Sequence, residues 1–237
     1  MIELLTGKRI MIVVAHPDDE LLGLGATMNR LIAEHNVTTH LVILGEGVTS
    51  RSDKRDTEQW KKELINHKNN ILEAQRVIGY HSVITYDFPD NRFDTVSLLD
   101  IIKVVEKEKT GFQPDVIFTH HGGDVNVDHQ RTFEAVITAC RPMQHEIVKT
   151  IVTFETMSGT EWRASTDPRH FVPNFFISFS KANLDVKIQA MNAYMYEKRE
   201  YPHPRSAEAL EIVAKRWGVA IGKNYAEAFC LVRNISN

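Results

Sequence analysis

Ile10-Met11-Ile12-Val13-Val14-Ala15 is an unbroken apolar run, and it ends abruptly at His16-Pro17-Asp18-Asp19-Glu20. A strand with one wet face alternates apolar and polar residues. A strand apolar at every position is covered on both sides, as in parallel sheets flanked by helices. The run therefore predicts a buried strand over 9–15. One imidazole and three carboxylates follow it within five residues. A buried strand that stops at groups able to bind a metal and move a proton marks a candidate site of chemistry.

Strand and helix patterns then alternate. Leu21, Leu24, Met28, Leu31 and His35 recur at helical spacing, which predicts a helix over 19–35. Asp18 or Asp19 suits its cap and Glu20 its first turn. Gly23 and Gly25 fall inside this helix and read as close packing. Strands are predicted over 38–44, 82–86, 115–119 and 150–154, with helices over 57–78, 95–109 and 129–140 between them. Trp60, Leu64, His67, Ile71, Ala74 and Ile78 form one stripe, which makes His67 a packed histidine. Beyond 154 the pattern weakens, and 155–173 reads as irregular. A strand over 174–179, a helix over 181–199, a stiff break at Tyr201-Pro202-His203-Pro204-Arg205, a helix from a Ser206 cap to 217 and a strand over 228–233 complete the chain.

This alternation implies an α/β fold: a Rossmann-like, doubly wound, mainly parallel sheet with helices on both faces. Right-handed crossovers favour the strand order 3-2-1-4-5. Residues 1–237 are read as one domain, with a core over 1–150 and a C-terminal α/β extension over 151–237 that completes the pocket. In that order the first and fourth strands are neighbours, and their C-terminal ends flank the switch point where such sheets bind ligands. A second polar cluster, from His120 to His129, follows the fourth strand. Topology alone thus predicts that the two clusters meet.

A formal net charge of −3 argues against a nucleic-acid partner, which calls for a basic field. Cys140 and Cys230 stand alone in apolar settings and read as reduced buried thiols. No basic start followed by a long apolar run opens the chain, and no stretch is long and apolar enough for a membrane span. The expectation is a cytoplasmic protein acting on a small molecule.

His16, Asp19 and His129 supply two imidazoles and one carboxylate, the three-ligand pattern of a catalytic zinc site with one position left open. Asp18 adjoins Asp19 and is free to take a proton from water and return it to a leaving amine. Asp128, beside His129, suits orienting a neighbouring polar group. Pro-Asp-Asp-Glu is also a plain helix start, but that reading leaves His16 and the second cluster unexplained. A phosphate-binding loop is disfavoured, because early glycines are missing and the acids would repel phosphate.

Ala15-His16-Pro17-Asp18-Asp19-Glu20 resembles the A-H-P-D-D-E signature of the LmbE-like, or PIG-L, de-N-acetylases. Val125-Asn126-Val127-Asp128-His129 is similar to the second metal motif of that family. Pro89-Asp90-Asn91-Arg92-Phe93-Asp94 and His203-Pro204-Arg205-Ser206 resemble segments of members acting on sugar intermediates. The resemblance implies zinc on His16, Asp19 and His129, Asp18 as general base, and removal of an N-acetyl group from an amino sugar or its conjugate, N-acetylglucosamine conjugates among them. It also implies a homo-oligomer. Many members have His-Pro-Asp-His in the second motif, with the first His stabilising the oxyanion; here that place is Asn126. An amide donates a hydrogen bond but carries no positive charge. His121, His120 and His203 are the candidates to share that role.

Arg92, Arg55 and Arg205 are candidate substrate contacts; Arg92 could equally pair with Asp90 or Asp94, and Arg55 could be a solvated loop charge. Two histidines and a carboxylate also suit iron(II), so a non-haem oxygenase remains an alternative, as does a metal- or sugar-binding protein without turnover.

Overall fold

The computed structural model describes residues 2–236. Its sheet has seven strands in the order β3-β2-β1-β4-β5-β7-β6. These are β1 Arg9–Val14, β2 Thr38–Gly45, β3 Ser82–Phe88, β4 Val116–His120, β5 Thr150–Phe154, β6 Phe175–Ser178 and β7 Ala226–Asn234. The first five strands are parallel and in the expected order, and β7 and β6 extend the same sheet antiparallel. The register sets Val13 beside Thr119, so β1 and β4 end side by side.

The continuous apolar run of β1 is explained by what covers it. Ile10, Ile12 and Val14 enter one core with Leu21, Leu24 and Met28 of α1 (Asp19–Glu34) and Ile71, Ala74 and Ile78 of α2 (Lys61–Ile78). Met11, Val13 and Ala15 enter the opposite core with Ile101 and Val105 of α3 (Leu98–Phe112) and Val136 of α4 (Val127–Ala139). Each Val, Ile, Leu or Met among them, fully withdrawn from water, contributes about 1.5–3 kcal/mol before entropy is set against it. Gly23 lies under Phe154, where a Cβ would come within 2.2 Å of the ring, so close packing is what this glycine provides.

Three local differences from the sequence reading stand out. The helix expected over 181–199 stops early, as α5 (Lys181–Met191). The chain beyond it turns so that Tyr194, 0% exposed, can reach the core and hydrogen-bond Glu20. The second helix begins at Lys61 rather than 57. Asp18 occupies the N-cap place of α1 but makes no capping bond, and its backbone is left-handed at φ 103°. Its carboxylate is thereby released from the helix and faces the cavity. Asn126, by contrast, does cap α4, and Ser206 caps α6 (Ala207–Ala220) as expected.

Candidate metal centre and active site

His16 follows β1, Asp19 opens α1, and His129 sits in the first turn of α4. One atom from each, two imidazole nitrogens and a carboxylate oxygen, lie within 4.8 Å of one another. His16 Nδ1 is 3.5 Å and His129 Nε2 is 3.4 Å from the same oxygen, Asp19 Oδ2. The donor chemistry fits a divalent cation of the zinc type.

The charge environment agrees. Burial opposes a proton on His16, yet hydrogen bonds to Asp128 and Asp19 hold its pKa well above normal. Burial likewise opposes charge on His129, but Asp19 and Asp124 lift it to about 9. Burial opposes charge on Asp19, yet its pKa stays well below the usual range because the charged His129 ring faces it. The cluster therefore stabilises positive charge at its centre.

Outer contacts fix the rings. His16 Nε2 meets Asp128 Oδ2 at 2.8 Å and Asp90 Oδ1 at 3.4 Å. Asp128 is itself held, its Oδ1 accepting the Phe93 N–H at 2.8 Å. A carboxylate on the far nitrogen fixes orientation and, in the neutral ring that a bound cation requires, the tautomer whose Nδ1 lone pair faces inward. His129 Nδ1 lies 3.1 Å from Asp124 Oδ2, too poorly aligned to count as a hydrogen bond. Asp124 also accepts from Asn126 N and Thr160 Oγ1.

His120 ends β4 and stacks on His129 with ring centroids 4.0 Å apart. Its Nε2 accepts the Ala15 N–H at 2.9 Å and its Nδ1 meets Thr156 Oγ1 at 2.9 Å. Both nitrogens are used, and burial pushes its pKa down to about 4. His120 is a neutral wall of the site.

Asp18 is 2% exposed and borders a cavity of about 290 Å³, shared with His16, Asp90, Asn126, Glu197, His203 and Arg205. Its N–H donates to Glu20 Oε2 at 3.0 Å, which secures the left-handed turn. Its Oδ2 accepts from Arg205 at 3.0 Å. Burial pushes its pKa well up, and Arg205 opposes that rise.

The remaining candidates divide. His203 lines the cavity, and its Nδ1 accepts the Arg205 N–H at 3.1 Å, so in the neutral ring Nε2 carries the proton. Asn126 lines it too; Oδ1 accepts Asp128 N–H at 2.8 Å, and Nδ2 donates to Asn91 at 2.9 Å with one N–H to spare. His121 instead points at the Arg169 carbonyl, 2.7 Å away, and packs edge-on to Phe171. Arg205 faces the site, whereas Arg92 donates to the Asp53 carbonyl and Arg55 pairs with Glu46 beside a different cavity. Arg51, outside the candidate substrate contacts, lines the same cavity as Asp18 and pairs with Glu197. Asp124 and Glu197 carried no sequence assignment, and Asp90, read only as a possible partner of Arg92, instead lies beside His16. Asp90 had one signal, its place on the loop after the third strand, at the ligand-binding end of the sheet.

Cys140 is buried and Cys230 half-buried, and both are free thiols. Among the described residues, no helix is long and apolar enough to cross a membrane.

A family model described as PIG-L, GlcNAc-PI de-N-acetylase, matches residues 11–140. The chain belongs to the PIG-L family. That segment spans the strands and both polar clusters that build the candidate centre. The uncharacterized deacetylase YaiS of Escherichia coli K12 is 28% identical over 192 residues, covering 79% of this chain and 90% of YaiS. Solved structures share the PIG-L protein's fold. N,N'-diacetylchitobiose deacetylase of Pyrococcus horikoshii superposes with a TM-score of 0.74 at 17% identity, covering 95% of this chain and 84% of that one. GalB, a 4-carboxy-2-hydroxymuconate hydratase from Pseudomonas putida, gives 0.73 at 19% identity, covering 97% and 98%.

Proposed function

We propose that this PIG-L protein is a metal-dependent de-N-acetylase that removes the acetyl group from an amino sugar or its conjugate and releases acetate. The convergence of His16, Asp19 and His129 beside an unligated Asp18 carries this reading. Those three residues would hold zinc, with iron(II) the other suitable ion. The chemistry such an ion supplies is Lewis acidity toward water and toward the amide carbonyl.

The chain's own groups do the rest. Asp18 takes the proton of the attacking water and passes it to the leaving amine nitrogen. Arg205 holds the Asp18 carboxylate in place. Asp128 keeps the far nitrogen of His16 protonated and the ring fixed. His203 Nε2–H and the spare Asn126 N–H donate to the oxygen of the carbonyl as charge develops there. His121, Arg92 and Arg55, turned to other partners, stand outside this mechanism.

The amide substrate is favoured because the family match and the curated relative both point to deacetylation. The fold is also used by a hydratase, so the fold alone does not choose the reaction. We place the enzyme in the cytoplasm as single-domain chains and, on the family resemblance alone, as a homo-oligomer. A panel of N-acetylglucosamine conjugates tests the reaction: acetate should appear, stop on chelation and return with zinc. Acetate release that persists through exhaustive chelation would remove the metal from the account.

A further inference from the structure

His67 lies on the inward face of α2 and is 1% exposed, yet neither of its ring nitrogens has a hydrogen-bond partner. It borders the catalytic cavity together with His16 and Asp18, and it also borders a neighbouring cavity of about 570 Å³. Shape holds the ring: Tyr194 meets it edge-on with centroids 5.7 Å apart, and Tyr196 lies at 6.5 Å. Gly47, at φ +68°, packs against the ring without a side chain; a Cβ there would come within 3.0 Å of Nε2. Burial lowers the pKa of His67, so the ring is neutral and presents one N–H and one lone pair.

Buried polar groups are nearly always paired, and a stripe position that only packs is better filled by Leu or Phe. A partner that both donates and accepts would match the neutral ring. A hydroxyl does so, whereas a phosphate or carboxylate anion offers acceptors alone.

We infer that His67 hydrogen-bonds a ring hydroxyl of the sugar and so helps set which amino sugar the cavity accepts. This rests on the deacetylase reading only for the identity of the ligand. Glucosamine, the product of that reaction, carries the same hydroxyls and is not consumed. The test is its binding to the zinc-loaded full-length chain, followed by tryptophan fluorescence, since Trp162 lines the cavity. The 3-, 4- and 6-deoxy analogues are titrated in parallel.

One deoxy analogue should bind the unaltered protein about tenfold more weakly than glucosamine, the size of one hydrogen bond. His67→Phe should lose the same factor for glucosamine and no longer distinguish that analogue. His67→Gln, which keeps a donor and an acceptor, should recover part of the discrimination. The denaturation midpoint of His67→Phe should equal or exceed that of the unaltered chain, because two unpaired polar atoms are gone. The inference is overturned if glucosamine does not bind, if His67→Phe still discriminates the analogues, or if its midpoint falls while affinity holds. Intact coupling between His67 and one hydroxyl, without acetate release from any N-acetyl conjugate, would instead sink the deacetylase reading and leave this inference standing.

Discussion

Arg205 donates to Asp18 Oδ2 at 3.0 Å, joining residues 187 positions apart. The same nitrogen reaches Glu197 Oε2 at 2.7 Å, and Nε donates to Ser158 Oγ at 2.7 Å. The C-terminal extension thus grips the proposed base by its carboxylate. It also grips it by the backbone: Tyr194 donates to Glu20 at 2.7 Å, and Glu20 accepts the Asp18 N–H. Arg205→Met should therefore lower kcat by about ten- to a hundredfold, since it frees the carboxylate and leaves it facing Glu197. Steady-state kinetics with Arg205→Lys as the partial rescue checks this. An unchanged kcat in the Met variant would show that the contact does not position the base.

Asp128 should act through the metal site rather than on the substrate. Asp128→Asn replaces the carboxylate on His16 Nε2 with an amide. Zinc affinity, measured by competition with a chromogenic chelator, should fall about 10- to 100-fold. Affinity equal to that of the unaltered chain would assign Asp128 some other task.

A buried ion pair ties the extension to α1. Lys187 donates to Glu227 at 2.7 Å and to the Leu22 carbonyl at 2.9 Å, while Glu227 accepts from the Thr27 N–H at 2.8 Å. Both side chains are almost fully buried. Lys187→Met leaves Glu227 unpaired and should cost about 3–5 kcal/mol in urea denaturation. Lys187→Met with Glu227→Gln should recover part of that loss, because the uncompensated charge is gone.

Stability should fall as pH rises from about 5 to 8. Burial raises the pKa of Glu155 to about 7, against 4.5 for the unperturbed group, and the indole of Trp217 hydrogen-bonds it. Between those values the folded chain holds a proton that the unfolded chain has released. The slope of unfolding free energy with pH is then negative, and the stabilisation is lost as pH climbs through about 7. Glu20 behaves alike. Glu155→Gln should flatten this decline by up to about 3 kcal/mol across the window. Parallel curves for the two proteins in denaturant melts at stepped pH would mean that Glu155 does not titrate there.

Much of this was legible in the sequence, for identifiable reasons. The β1 run is apolar at every position because helices cover both its faces, and the strand–helix alternation with right-handed crossovers gave the parallel order of the first five strands. His16 and His129 could be paired because strand ends are fixed by topology. What escaped depended on conformation within loops or on atoms within a buried ring. Arg51, Arg55 and Arg92 all sit on loops at the same end of the sheet, and only backbone geometry decides that Arg51 faces the cavity. The stripe on α2 correctly buries His67, but spacing says nothing about whether its nitrogens are paired. The helix after Lys181 was overextended because apolar residues recur past Met191, where Tyr194 in fact leaves the helix to reach Glu20.

The most direct test of the central claim is acetate release by zinc-loaded Asp18→Asn, with its zinc content measured on the same sample. The amide keeps the shape of the carboxylate and lies outside the three ligands. The account predicts zinc bound as in the unaltered chain and a rate lower by at least about 10²-fold. Zinc bound with the rate undiminished would contradict it.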